Sequence, residues 1–405
     1  MFRFKGSFLL LPLATAGLWL AMMNGCGGNG ASPNNVPANT SKIQHVVIIF
    51  QENRSTDNLF HDPVLISRGA DISSTGVDST GASVPLTPVA LGTNWDNDHS
   101  HPSFTKMYDN GKMDGAQLIP LQCPVPTDCT PPPNRPFNYV RASDVQPYFA
   151  MAETYAFNDR MFQTNEGPSF PAHHFIISGT SAPTPPGQTW SNYFVAENAK
   201  GPLDETTGCL GTAQNVLLID PANMDPLTNE TQTFAPPCFD HPTLTDLLDT
   251  ANLNWAYYAS FAGVLWNGPT EIKHICQPAG AAPNAKCTGP IWTEHERIPP
   301  ATVLTDIQNN ALESVVWVTP NSCQSDHAGT GVECGEGPAW VASIVNAIGN
   351  SSYWANTAII LTWDDWGGWY DHVAPTILNS YEFGFRVPLV VISPYAKAGY
   401  VSHQV

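Results

Sequence analysis

Positive charge is what this sequence has least of. Its 405 residues hold 16 Lys+Arg against 35 Asp+Glu, a formal balance of −19, and only 13% of positions are charged. Phosphate backbones are held by clustered Lys and Arg, so the composition argues against a nucleic-acid partner. No Cys-x-x-Cys pair occurs, which removes the usual spacing of a structural zinc site. The Gly-x-Ser-x-Gly elbow of lipase-type hydrolases is also missing, as is the Cys-x-Pro-x-Arg context a sulfatase needs. There is no internal repeat, and 37 Pro with 31 Gly exclude a coiled coil. Global disorder is excluded too, because 42% hydrophobic and 10% aromatic residues suffice for a large core.

What is present begins with an address. Arg3 and Lys5 precede an apolar run, Phe8 to Met23, broken only by Pro12, Thr15 and Gly17. Residues 1–26 read as a signal peptide. The run is also marginally long enough for a retained membrane anchor. Cys26 closes Met-Asn-Gly-Cys, similar to a bacterial lipoprotein cleavage box except at Asn24. Residues 27–41 form an uncharged flexible linker, and residues 42–405 one domain. The expected location is therefore exported: periplasmic, secreted, or lipid-anchored at the cell surface. Eight further cysteines suit such a compartment. Pairing Cys123–Cys129, Cys209–Cys238, Cys276–Cys287 and Cys323–Cys334 would pin one Pro/Gly-rich excursion each.

Short β-branched runs predict buried strands at 45–51, 175–178, 255–259, 314–319, 358–363 and 387–393. Helical patterns lie at 146–155, 243–251 and 339–348. The alternation predicts an α/β fold: a central, mostly parallel sheet with helices on both faces and long disulfide-pinned loops. Ligands of such sheets collect at the carboxyl ends of the strands. Glu52 and Asn53 follow the first strand, and Asp364 and Asp365 a late one. Oxygen donors of this kind suit a divalent cation. Ser169 lies between Pro168 and Pro171, in what reads as a rigid turn able to aim a hydroxyl. A serine hydroxyl needs a base or a metal before it is a nucleophile. His99, His101, His173, His174, His327 and His372 mostly sit beside acids or glycines, outside apolar runs.

The stretch IQHVVIIFQENRSTDNLF (43–60) resembles the opening motif of the bacterial phosphoesterase family that holds non-haemolytic phospholipases C and related acid phosphatases. So do DNGKMDG (109–115), FNDRMFQTNEGPSFPAHHFIISGTS (157–181), SDH (325–327) and the segments 356–375 and 384–403. The long loops at 180–238 and 260–300 fall outside it. The resemblance implies an alkaline-phosphatase-like fold and metal-dependent hydrolysis of phosphoesters. It assigns Glu52, Asn53, Asp364 and Asp365 to the metal, Ser169 to the nucleophile, and His99, His327 and His372 to the remaining catalytic positions, with His101 the alternative to His99. Many members have Asp-Glu where this chain has Asp364-Asp365, and they continue past the GYVSH segment, so a C-terminal segment is expected to be missing. The implied activity is phospholipase C-like release of a phosphodiester headgroup through a phosphoserine. Acid phosphatase activity on monoesters is the alternative, and a non-catalytic surface protein the second. The implied partner is a phosphoester, a phospholipid among the candidates. Membrane contact would come through that substrate or a lipid anchor. Scarce Lys and Arg, with Arg54 and Arg160 nearest the motifs, favour a diester monoanion over a monoester dianion.

Overall fold

The computed structural model describes residues 42–182, 192–200, 206–211 and 213–405. The expected signal peptide, Cys26 and the linker lie outside the described residues. Within Ile43–Val405, eight strands form the main sheet: β1 (His45–Gln51), β2 (Ala156–Asn158), β3 (Trp255–Tyr258), β4 (Glu296–Arg297), β5 (Val315–Val318), β6 (Thr357–Trp363), β7 (Leu389–Ile392) and β8 (Tyr400–Ser402). Their spatial order is β4-β3-β5-β1-β6-β7-β2-β8. Only β7 runs against its neighbours; every other pairing is parallel. The α/β architecture expected from the alternation is what forms.

The principal helices are α1 (Thr56–Leu59), α2 (His101–Tyr108), α3 (Ala142–Thr154), α4 (Ser169–Ser178), α5 (Leu244–Thr250), α6 (Thr302–Gln308) and α7 (Gly337–Gly349). Successive strand side chains point to opposite faces, and both faces are covered. Val47, Ile49, Val316, Val318, Ile359 and Leu361 pack under α3 and α7, through Val145, Phe149, Val341 and Ile344. Ile48, Phe50, Trp255, Tyr257 and Trp317 meet Ile176 of α4 and Leu248 of α5 on the other face. On α7 the buried residues Trp340, Val341, Ile344, Val345 and Ile348 recur at the helical period. Each apolar side chain of this size stabilises the packed state by about 1.5–3 kcal/mol.

One predicted strand is not one. Phe175–Ser178 forms the last turn of α4, which ends at Gly179 in a left-handed conformation (φ 67°). A short apolar run buried all round carries no period, and here helix packing won. Ser169 is correspondingly not in a loop turn. It is the first residue of α4, with Pro171 in the first turn, where its missing N–H costs nothing. The four expected disulfides, Cys123–Cys129, Cys209–Cys238, Cys276–Cys287 and Cys323–Cys334, are all present.

Candidate active site and metal centre

Three neighbouring strands, β5, β1 and β6, end at the same edge of the sheet. Gln51 is in register with Trp363, so the residues that follow, Glu52-Asn53 and Asp364-Asp365, emerge side by side. Asp364 N donates to Gln51 O (3.0 Å), and Glu52 N donates to Ser325 O (2.7 Å), which draws in the loop carrying His327. Asn53 takes the left-handed backbone (φ 63°), a conformation Asn tolerates better than most residues. Its carbonyl also explains Gly367: a Cβ there would come within 2.1 Å of Asn53 O.

The side chains converge. Asn53 N donates to Asp364 Oδ1 at 3.0 Å. Ser169 Oγ donates to Asp365 Oδ2 at 3.2 Å and lies 3.4 Å from the Asn53 amide. Glu52, Asn53 and Asp365 are fully buried, and Asp364 and Ser169 nearly so. His173, four residues after Ser169 on α4, places Nε2 2.9 Å from Glu52 Oε1 and 3.7 Å from Asp364 Oδ2. His99 holds Nδ1 against Asn97 O (2.8 Å) and aims Nε2 at the Asn53 amide (2.9 Å). His327, with Nδ1 bonded to Ala328 O, has its ring centroid 5.7 Å from that of His99. A cavity of about 350 Å³ is lined by His99, His327 and Pro168 together with Asp98, Glu197, Glu230 and Lys200.

So many buried carboxyls cannot all be ionised without a cation. Burial pushes Glu52 up to about 8, with Asp365 adding repulsion. Burial, then Glu52, raises Asp364 to about 7. Burial, then Asp364, raises Asp365 well above the carboxylate range. For His99, burial opposes the charge but Asp365 and Asp96 outweigh it, lifting the ring to about 9. His327 is lowered by burial.

The donor set fits a divalent ion. With the Asn53 amide nitrogen turned inward, it donates to Glu52 Oε2 (3.0 Å) and Asp364 Oδ1 (3.1 Å), while its oxygen accepts from His99 Nε2 (2.9 Å) and His327 Nε2 (3.2 Å). Turned the other way, the amide oxygen joins the two carboxylate oxygens at those same separations. Three oxygens so arranged need a proton or a cation between them. Asp364 Oδ2 moreover has no hydrogen-bond partner, which for a buried carboxylate is costly unless something else binds it.

Of the residues expected in the site, Glu52, Asn53, Asp364, Asp365, Ser169, His99 and His327 come together. His372 is placed elsewhere. Its Nδ1 meets Asp57 Oδ2 (2.6 Å) and its Nε2 meets Asp71 Oδ1 (3.0 Å), beside the buried Arg386. Both ring nitrogens are thus engaged by carboxylates, apart from the cluster around Ser169. The motif that carries it, Tyr-Asp-His, also supplies Asp371 to the same cluster. His101 turns its ring to Glu166 and Glu230 (3.3 Å each), leaving the alternative to His99 without support. Arg54 is buried on Asp326 O and Leu91 O, and Arg160 pairs with Asp71, so neither is the phosphate cradle. Sequence reasoning missed His173 as part of the cluster. The Ser-x-x-x-His spacing, which puts both on one helix face, was the available signal.

His372 also has a pH signature. Burial disfavours its charged form, yet the Asp57 contact outweighs this and raises the pKa above the ordinary 6.5. A group with a raised folded-state pKa contributes stability that is full below its unfolded value and lost as pH climbs through the folded one. The urea midpoint should therefore fall as pH rises from about 6.5. His372→Gln should flatten that fall. An unchanged slope in the variant would contradict the assignment.

The chain is 25% identical over 425 residues to "Phospholipase C B" of Mycobacterium tuberculosis, covering 92% of this chain and 72% of that protein. It is 24% identical over 419 residues to "Hemolytic phospholipase C" of Pseudomonas aeruginosa, covering 90% of this chain but 51% of that one. For "Non-hemolytic phospholipase C" of the same organism the identity is 22% over 415 residues, with 91% and 52% covered. Among solved structures, a protein in the alkaline phosphatase superfamily from Vibrio parahaemolyticus aligns with TM-score 0.34 and 11% identity, over 90% of this chain and 63% of that one. The profile described as Phosphoesterase family matches residues 43–405, nearly the whole described domain. The chain belongs to the Phosphoesterase family and is a phosphoric ester hydrolase.

Proposed function

We propose that the protein is an exported phospholipase C-type phosphodiesterase that works through Ser169 and a phosphoserine intermediate. The observation that carries this is the position of Ser169 Oγ: at the N-terminus of α4, 3.2 Å from Asp365, beside a cavity lined by two histidines. Glu52, Asn53, Asp364 and Asp365 would hold a divalent ion, which would supply Lewis-acid charge near Ser169 Oγ. The helix N-terminus adds roughly half a positive charge where negative charge must grow. Ser169 Oγ gives up its proton toward Asp365 and attacks phosphorus in line, and the bond to the leaving alkoxide breaks. His99 is held charged by Asp365 and Asp96. It neutralises the phosphoryl oxygens and can protonate the departing oxygen. His327, neutral and lining the cavity, takes a proton from the water that cleaves the phosphoserine.

The cavity favours a diester. Asp98, Glu197 and Glu230 line it, and Lys200 is its only Lys or Arg among the described residues. A monoester dianion meets more repulsion there than a monoanion. Four disulfides suit the oxidising side of a membrane. The test is a paired assay. Turnover of p-nitrophenylphosphorylcholine should exceed that of p-nitrophenyl phosphate. EDTA should abolish both, and a divalent metal should restore them. Faster monoester turnover would reverse the diester reading, and chelator-insensitive activity would remove the metal.

A further inference from the structure

We infer that His173 supplies a nitrogen ligand to the proposed ion, so that the centre is built for a divalent metal that accepts imidazole, such as zinc, manganese, iron or cobalt, in preference to calcium or magnesium. This rests on the metal-dependent reading above and goes beyond its all-oxygen donor set.

Three elements deliver the donors: Glu52 follows β1, Asp364 follows β6, and His173 stands on α4, one helical turn after Ser169. His173, Glu52 and Asp364 each offer an atom within 4.8 Å of the others, and all three are buried. Metal–nitrogen and metal–oxygen bonds of about 2.0–2.2 Å put neighbouring donors roughly 3.0–3.4 Å apart. The Nε2 separations of 2.9 Å from Glu52 and 3.7 Å from Asp364 bracket that range. Asp364 Oδ2, the atom that faces His173, is the one left without a hydrogen-bond partner. His173 Nδ1 has no partner either, so every polar contact of the ring lies on the cluster side. Phe50 packs edge-on against the ring, with centroids 6.2 Å apart. Imidazole among carboxylates moves a site away from the hard cations and toward the borderline ones.

The rival role is positioning: His173 donates to Glu52 and never touches the ion. Spectroscopy separates the two. Wild-type protein loaded with Mn²⁺ should show hyperfine coupling to a directly bound nitrogen in electron spin-echo measurements. His173→Asn should lose it while still taking up the ion. By calorimetry the same substitution should weaken Zn²⁺ binding by at least the ~10–100-fold that loss of an outer partner costs, with little change for Mg²⁺. Loaded wild type without nitrogen coupling overturns the inference but leaves the metal site standing, as does an equal loss for both ions. Wild type that binds no divalent ion overturns both.

Discussion

Replacing Ser169 by alanine should lower turnover of a chromogenic phosphodiester by about 10⁴–10⁶-fold, the scale seen when an enzymic nucleophile is removed. The substitution deletes one oxygen from a buried position and no apolar packing, so the fold should survive. What is lost is the atom that forms the first bond to phosphorus. The surrounding groups remain in place, the Asn53 amide and His99 among them, and binding of substrate should be largely kept. The effect therefore belongs in kcat rather than KM. Threonine, which keeps the hydroxyl, should retain activity well above alanine. A second readout removes ambiguity: protein quenched in acid during turnover should carry a phosphoryl group on the peptide containing Ser169, and the alanine variant none. If the variant turned over within tenfold of wild type, water rather than serine would be the attacking group.

How much of this was legible in the sequence depends on the distance over which the information is stored. The strands β1, β5 and β6 are apolar runs with local signatures, and they were placed within a residue or so. Because β1 and β6 carry acids at their carboxyl ends, the meeting of Glu52 with Asp364 followed from topology alone. The disulfides were readable because each joins cysteines that are neighbours in sequence order, at separations of 6, 11, 11 and 29 residues. Ser169 was recognised as special, but its Pro-flanked setting reads as a turn, whereas Pro168 caps a helix and Pro171 fits its first turn. Nothing local distinguishes the two. His372 falls outside the cluster around Ser169 for a different reason. Its partners Asp57 and Asp71 lie 315 and 301 residues away, and a histidine beside an aspartate looks the same whether it serves chemistry or a buried ion network. His173 is the converse: the residues just after it, 175–178, read as a strand, and only the helix they actually form brings it to Glu52 and Asp364.

That ion network yields the second large effect. Arg386 is fully buried and each guanidinium nitrogen is used: Nε donates to Asp371 Oδ1 (2.8 Å), Nη2 to Asp371 Oδ2 and Asp57 Oδ1 (3.1 Å each), and Nη1 to the carbonyls of Asp71 and Asp159 (2.9 Å each). Replacement by methionine preserves much of the volume but strands the fully buried Asp371 without its counter-charge and leaves the fully buried Asp57 with His372 alone. Removing one partner of a buried pair costs about 3–5 kcal/mol, set against a typical total of about 5–15 kcal/mol. Arg386→Met should therefore lower the urea midpoint severely. Adding Asp371→Asn should recover part of the loss, since it removes the stranded charge. The consequence reaches the active site through geometry. Asp57 lies in the segment just after Asn53, Asp371 in the one just after Asp365, and Arg386 binds both. Thr56 N is also bonded to Arg386 O (3.3 Å). The arginine thus clamps together the two loops that present the metal donors. In the methionine variant divalent-ion affinity should fall along with stability, measured by calorimetry at a temperature where the variant is still folded. A loss under 1 kcal/mol with unchanged ion binding would show that the clamp carries neither load.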